Sequence, residues 1–548
     1  MKTNLLLILF LICAPLLNAK VIKVPQDYTK IQSAITAAVN GDTVLVSEGT
    51  YIENLIITKK ITVASLYLID KDTSHISKTV LDGSTFATDS ASVILILPGT
   101  DSTTVIKGLT IQNGRGTLLT FSILGNPNTY RFGGGIAIIA NGGATISTNT
   151  IKNNSCKEVT SGVNTGGGGI AIYPDVNLTI GPNPWVIENN TIITNNVSAS
   201  TGVTGGAGLD ISGHGRVINN IIKNNSASGS AIGLGGGIVI YGAPGEQSIE
   251  LSNNLIKSNS INNWGGGIEM HANAGLGSPV VTLKNNIIAS NSAGQSGGGI
   301  YVDGGNYSLI NNTITSNGGG SNEAIYLEAG AGPLTFRLMN NIIWNPAAGV
   351  EFNTTSNVSS SYNCVRDSLA GTGNISANPL FVANDSLYRI SNASPCIGAG
   401  VLSASIGGST LLAPTLDFLG NSRPRPSNTK PDLGAIESDL STGVNEQTVV
   451  GFPISFALSQ NYPNPFNPST MINYQLAMNS FVTLRVFDIL GRDVATLVNE
   501  QRLAGSYSVQ WNAERFSSGV YFYKLEAHQK DGGHAASFSE TKKLLLLK

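Results

Sequence analysis

Apolar and polar residues alternate in short bursts along most of this chain, and nearly every burst follows glycine. Gly265-Gly266-Gly267 leads into Ile268-Glu269-Met270-His271. The same phrase recurs as Gly133-Gly134-Gly135-Ile136, Gly167-Gly168-Gly169-Ile170, Gly206-Ala207-Gly208-Leu209, Gly235-Gly236-Gly237-Ile238 and Gly297-Gly298-Gly299-Ile300. Fainter copies lie at Ala324-Ile325 and Gly349-Val350, and successive copies start between 325−300 = 25 and 209−170 = 39 residues apart. A unit of about 20–50 residues signals a solenoid, a propeller or an array. Side chains of a strand alternate between its faces, so Ile268 and Met270 are expected inside, with Glu269 and His271 outside.

Within each unit a second strand carries Asn-Asn-x-Ile: Asn189-Asn190, Asn219-Asn220, Asn253-Asn254, Asn285-Asn286, Asn311-Asn312 and Asn340-Asn341. Asparagine tolerates left-handed backbone, and stacked copies can bond along an axis, so the phrase predicts a repeated tight turn. Upstream, Asp27 is positioned to cap a helix whose Ile31, Ala34, Ile35, Ala38 and Val39 share one face, with Gly41 ending it. Strands are expected at 43–46, 55–57, 61–64, 93–97 and 105–111. That helix is the expected cover for an otherwise open sheet edge. Such short strands without intervening helices argue against leucine-rich and ankyrin repeats, and a propeller blade would be longer. The pattern fits an all-β chain whose main body is a parallel β-helix.

Beyond a polar stretch at 438–455 the period stays at two but the turns change. Strands are expected at 471–476, 482–487, 507–511 and 520–526, a spacing that suits a small antiparallel, immunoglobulin-like sandwich. At the other end, 1–19 reads as a secretory signal: Lys2, an apolar run, then a small residue at Ala19. No later stretch is apolar enough to span a membrane. The chain has 548 residues and a formal charge of −2, which gives no electrostatic case for nucleic acid. Its charged fraction is 12%, so Gly, Asn, Ser and Thr fill the polar positions. Outside the signal three cysteines remain, Cys156, Cys364 and Cys396; an exported protein could pair Cys364 with Cys396, and no metal spacing appears.

Two resemblances sharpen this. The opening Pro25-Gln-Asp-Tyr-Thr-Lys-Ile-Gln-Ser-Ala-Ile35, with Gly41-Asp-Thr-Val and Gly49-Thr-Tyr, resembles the N-terminal coil of the right-handed pectate-lyase-like superfamily of exported bacterial β-helices. The closing Asn378-Pro-Leu-Phe, Ser394-Pro-Cys-Ile-Gly-Ala-Gly and Asp432-Leu-Gly-Ala-Ile-Glu437 is similar to the terminal segment of such surface proteins. The resemblance implies a right-handed β-helix over 20–437, with cap and first coils at 20–125, Gly/Asn-rich coils at 133–362 and a terminal segment at 363–437. Separately, Tyr462-Pro-Asn-Pro-Phe-Asn-Pro, Val486-Phe-Asp-Ile-Leu-Gly491, Gly519-Val-Tyr-Phe-Tyr and Thr541-Lys-Lys-Leu-Leu-Leu-Leu-Lys548 resemble the C-terminal sorting domain of the type IX secretion system. That implies a domain at 456–548 recognised by secretion machinery, and a destination outside the outer membrane of a Gram-negative-type bacterium.

Candidate chemistry follows from the alternation. The first outward row runs Ala137, Ala171, Asp210, Val239, Glu269, Tyr301, Tyr326 and Glu351, and the second Ile139, Tyr173, Ser212, Tyr241, His271, Asp303, Glu328 and Asn353. At a coil spacing of about 4.8 Å, His271 and Asp303 should be neighbours with Glu269 beside them, and Asp210 two coils away. With Tyr173, Tyr241, Trp264, Tyr301, Tyr326 and Glu328 around them, these residues would make a saccharide-binding face of aromatic platforms and carboxylates. Catalysis there would use Asp210, Glu269, His271 and Asp303: a carboxylate pair for glycoside hydrolysis, or His271 held by Asp303 as a base. Solenoid exteriors must also be polar somewhere, and outward tyrosines often only pack across strands.

Gly213-His214-Gly215 matches one element of the polygalacturonases of this fold, whose Asn-Thr-Asp, Asp-Asp and Arg-Ile-Lys elements are absent. The Asp-Pro-His-Glu element of the alginate epimerases is absent too. Lys152, Lys223 and Lys257 recur after the Asn turns as a basic stripe. No cofactor or metal is expected; the clustered carboxylates that calcium would need do not assemble from the sequence. The leading expectation is a non-catalytic surface for extracellular polysaccharide, ahead of a polysaccharide lyase or glycoside hydrolase and of a structural or adhesive stalk.

Overall fold

The computed structural model describes residues 19–84, 90–123, 126–139, 142–173, 184–229, 232–242, 247–272, 279–320, 323–330, 332–427, 429–438, 456–476, 480–502, 505–528 and 538–547. The expected signal, apart from Ala19, and the expected linker, apart from Ser438, lie outside the described residues.

Among these residues three long sheets wrap one core. The first runs through twelve strands from Val21–Val24 to Val358–Ser361, the second through eleven from Gly49–Tyr51 to Cys364–Val365, and the third through ten from Leu55–Ile57 to Val350–Phe352. Strands one coil apart pair in parallel, as Ile268 does with Ile300. The architecture is a parallel β-helix. Ile268 and Met270 lie fully buried in a single core that continues through Ile300, Val302 and Leu327, because the inward positions of these coils are apolar.

The Asn-Asn phrase forms the turn between the first and second sheets. Its first residue is left-handed at each copy, with φ of 56° at Asn189 and 58° at Asn340. Its second is buried and bonded along the axis. Asn286 Nδ2 donates to Leu251 O (2.8 Å) and to Asn312 Oδ1 (2.9 Å), and its Oδ1 accepts from the Asn254 N–H (3.0 Å). A second ladder, which no constant phrase marks in the sequence, follows the second sheet: Asn154, Asn195, Asn225, Asn259, Asn291, Asn317 and Asn345. Its left-handed residue varies among Asn153, Thr194, Asn224, Ser258, Ser290 and Ser316, which hid the repeat.

The glycine triplets lead into the third sheet. Gly265 is left-handed (φ 67°), and a Cβ on Gly266 or Gly267 would stand 2.4 or 2.6 Å from the carbonyl oxygen of Gly298 or Gly299 in the next coil. Only glycine lets the coils stack this closely there.

Between the second ladder and the triplets run two further six-stranded sheets. One, from Ser155–Lys157 to Gly318–Gly319, extends the coil. The other comprises Ser90–Ala91, the antiparallel pair Gly116–Ile123 and Asn126–Phe132, then Asn164–Gly166, Val203–Thr204 and Ile232–Gly233. This last sheet covers the outer face of the third: Phe132, Leu119 and Tyr130 pack on Leu95, Ala137, Ile139, Ala171 and Tyr173.

The N-terminal helix forms at Ile31–Ala37, but Asp27 does not cap it. Asp27 accepts from the Lys23 N–H instead, and the carboxylate of Glu53 takes the Ile31 and Gln32 N–H groups (2.9 and 3.0 Å). Ala38 ends the helix, and Val39 is exposed rather than on its buried face. The expected strand at 105–111 is split in two around left-handed Gly108.

The terminal segment turns back along the second sheet, where Leu387, Ala435 and Ile436 pack on Ile287 and Ala289. It is pinned by a fully buried ion pair, Arg423 to Glu437 at 2.6 Å. Cys364 and Cys396 meet there as buried free thiols, with a hydrogen bond between them. Residues 456–547 form a separate core from two antiparallel sheets of three and four strands, as the alternation predicts. Three of those strands, Ala457–Leu458, Asp493–Arg502 and Phe538–Leu546, lie outside the expected four.

Candidate functional site

The two outward rows form on the third sheet, in the expected register as far as Glu328. Tyr241, His271, Asp303 and Glu328 stand in line across four strands, and Val239, Glu269, Tyr301 and Tyr326 form the row beside them. The last coil slips by two residues. Ile325 pairs with Phe352, not Val350, so Asn353 stands opposite Tyr326, and Glu351 moves to the level of Ala324. There Glu351 closes the second asparagine ladder, accepting from the Asn345 N–H and Nδ2 (both 2.7 Å).

Pointing away from the core does not mean reaching solvent. Asp210 and Glu269, expected on an open face, are fully buried. Gly166 and Gly205 lie over Asp210 so closely that a Cβ on either would meet its Oδ2 at 1.9 or 2.2 Å. Tyr173 donates its hydroxyl to the same oxygen (2.7 Å), and Oδ1 has no partner. Tyr173 is therefore a half-buried partner of Asp210 rather than an open platform. Burial pushes the Asp210 carboxyl up to about 7 against the pull of that hydroxyl.

Glu269 is more isolated. Neither carboxylate oxygen has a hydrogen-bond partner, and burial holds its pKa well above the usual carboxylate range. The Gly235 amide favours the anion weakly, since its N–H is already engaged with Trp264 O at 3.0 Å. Both acids carry their proton into the neutral range, because burial disfavours the anion and, among the described residues, no cation lies within ion-pair distance of either.

The covering sheet ends at Ile232–Gly233, and Trp264 continues its edge through one bridge to Leu234. Past that edge the rows approach solvent. His271 Nδ1 lies 3.3 Å from Asp303 Oδ2, with the two side chains 27% and 14% exposed. Burial lowers the His271 pKa despite the pull of Asp303 and Glu328 upward, which leaves the ring neutral near pH 7. The Tyr301 hydroxyl donates to the Glu328 carboxylate. Trp264, Tyr301 and Tyr326 stack in order, with centroids 5.8 and 5.3 Å apart and the two tyrosines within 2° of parallel. Tyr241 meets His271 edge-on at 6.3 Å. The faces of Tyr301 are thus occupied by its neighbours, so sugar stacking falls to the ends of the ladder and to ring edges.

Chemically, the arrangement offers a neutral imidazole beside a carboxylate, a second exposed carboxylate on Glu328, and two sealed carboxylic acids beneath. Among the described residues no group of three or more His, Cys, Asp or Glu side chains is placed to hold a metal ion. Gly213-His214-Gly215 lies on the first sheet, away from these rows. Gly215 is small because a Cβ would stand 2.2 Å from the buried Trp185 ring, a packing reason for the motif.

Comparison with known proteins bears on the two ends of the chain differently. Residues 460–533 match the family described as the secretion system C-terminal sorting domain. No curated relative matches the chain. A solved structure similar to it is the tailspike protein gp49 of Acinetobacter baumannii bacteriophage Fri1, titled a capsular polysaccharide depolymerase, at 11% identity and a TM-score of 0.33, over 96% of this chain and 77% of that one. At that score the likeness transfers no chemistry. Among the described residues no helix is long and apolar enough to cross a membrane. The C-terminal module is a type IX sorting domain, and the chain is a secreted or cell-surface protein carrying a parallel β-helix.

Proposed function

We propose that the β-helix binds extracellular polysaccharide on the outer face of the third sheet, without turning it over, after export from a Gram-negative-type cell by an N-terminal signal and the sorting domain. The observation that carries this reading is the step where the covering sheet ends. It leaves His271, Asp303 and Glu328 in a row, with Tyr326 in the row beside them and Trp264 at the edge, on rigid strands one coil apart. Aromatic edges with fixed polar groups suit sugar hydroxyls and C–H faces. A glycan array with the full-length secreted protein tests it. Binding that drops at least tenfold in Tyr326→Ala and Glu328→Ala supports the reading; binding to no glycan, or binding indifferent to both changes, ends it.

The His271–Asp303 pair favours a second reading, a lyase or hydrolase with His271 as base. Asp210 and Glu269 do not serve it, because both carboxyls are fully buried. Release of reducing ends or of unsaturated uronates from a polysaccharide panel, abolished in His271→Ala, would replace binding with catalysis.

A further inference from the structure

The basic stripe noted in the sequence remains unused by the face described above. Lys223 and Lys257 stand in register on neighbouring strands of the second sheet, on its outer side. Like charges placed opposite each other across strands destabilise a sheet. Among the described residues neither lysine has a carboxylate within ion-pair distance.

The returning terminal segment crosses just beyond them. It leaves a groove of about 660 Å³ between strand residues Lys257, Ser316 and Trp344 and the stretch 378–388. That volume is in the range of small-molecule sites. Lys257 is held at its wall: Nζ donates to Ser386 O (3.2 Å) and sits 4.8 Å above the Tyr388 ring. Two of its three N–H bonds are left for another acceptor. Asp385, the one acid in the lining, is engaged with Arg389 at 2.8 Å, and its side chain is only 6% exposed, so it does not neutralise Lys257.

The rest of the lining suits a ring with both C–H faces and hydroxyls. Trp344 presents a half-buried indole, and Leu380, 40% exposed, forms an apolar lip. Asn378 and Ser316 supply polar groups between them. A neutral sugar would use these apolar and polar groups but leave the paired cations unanswered. A small inorganic anion would answer the cations but not the indole or the lip.

We propose that this groove binds an acidic polysaccharide, with a uronate carboxylate on Lys257, a sugar ring against Trp344, and a neighbouring carboxylate on Lys223. The site is separate from the third-sheet face and stands or falls without it.

Affinity electrophoresis and calorimetry of the full-length secreted protein, with polygalacturonate against neutral dextran, test the proposal. Polygalacturonate should bind and dextran should not. Lys257→Gln should weaken binding at least tenfold and Lys223→Gln about threefold, and added salt should weaken it in the wild type. Trp344→Ala should abolish it; because that ring also packs against the cluster of Cys364, Ile390 and Cys396, Leu380→Asn, at an exposed position, is the companion variant and should weaken binding without changing Tm. No binding, or binding unchanged in both Lys257→Gln and Leu380→Asn, would each overturn the assignment.

Discussion

Two sets of buried polar side chains lie within the same coils and are treated in opposite ways. The ladder asparagines, Asn286 among them, have essentially no exposure, and each side chain gives and accepts bonds at both ends. Asp210 and Glu269 are as deeply buried, yet three of their four carboxylate oxygens have no partner. A buried polar group that is fully bonded specifies the scaffold, while an unbonded one costs stability and asks for another reason to exist. Burial alone does not separate scaffold from site; bonding does.

The ladder gives the largest expected effect. Asn286→Ala removes the acceptor of the Asn254 N–H and side chain and the donor to Leu251 O, stranding several buried groups at once. At about 1–3 kcal/mol for each unsatisfied group, the loss should reach roughly 3–6 kcal/mol, beyond the ordinary range for point changes. Denaturant unfolding of the variant measures it. A loss near 1 kcal/mol would mean that water replaces the rung and that the two sets are not so different.

The carboxylates should move stability the other way, and with pH. An unfolded Asp releases its proton near pH 3.9, whereas Asp210 keeps its proton to about 7. Between these values the folded state binds the extra proton, so stability is highest below about pH 4, falls as pH rises to 7, and then levels. The full span is about 4 kcal/mol, from roughly 1.4 kcal/mol for each pH unit of difference. Glu269, also raised by burial, adds a slope of the same sign. Asp210→Asn, which resembles the protonated acid, should flatten its share and be the more stable protein at pH 8. Melting temperatures of both proteins at pH 4.5, 6 and 8 decide this; parallel curves would show that Asp210 is charged in the fold.

Much of this contrast was visible in the sequence, and its limits have physical causes. The triplets and the first ladder stand out because Gly and Asn recur at most copies, where a left-handed turn or a close approach between coils favours them. The second ladder did not, because Thr194 or Ser258 reaches the left-handed turn as well as Asn153 does. Alternation placed Glu269 on the correct side of its strand, but the cover comes from strands as short as Val203–Thr204 and Ile232–Gly233, too short to show any period. The helix cap was misjudged for a similar reason: Glu53 arrives from a following coil rather than from the helix's own flank. Local signals are legible; contacts between coils need the register.

The smallest expected effect is also the sharpest, since one change of the same type is made at two buried glutamates. Glu351 ends the second ladder and accepts from both Asn345 donors, with Arg366 Nε 3.3 Å from its Oε1. Burial raises its pKa, with those donors and the guanidinium pulling against the rise, whereas Glu269 has only the Gly235 amide to oppose its own. In Glu351→Gln the new amide must turn its NH2 toward one of the two Asn345 donors, and the charge attraction to Arg366 is lost, which should cost about 2 kcal/mol. In Glu269→Gln no bond is broken and a charge cost is removed, so at pH 8 stability should hold or rise by about 1–2 kcal/mol. Opposite signs in the two variants would establish that bonding rather than burial divides scaffold from site. Equal losses would mean that Glu269 is partnered in solution, and that the outer face above it opens far enough for water or a ligand to reach its carboxyl.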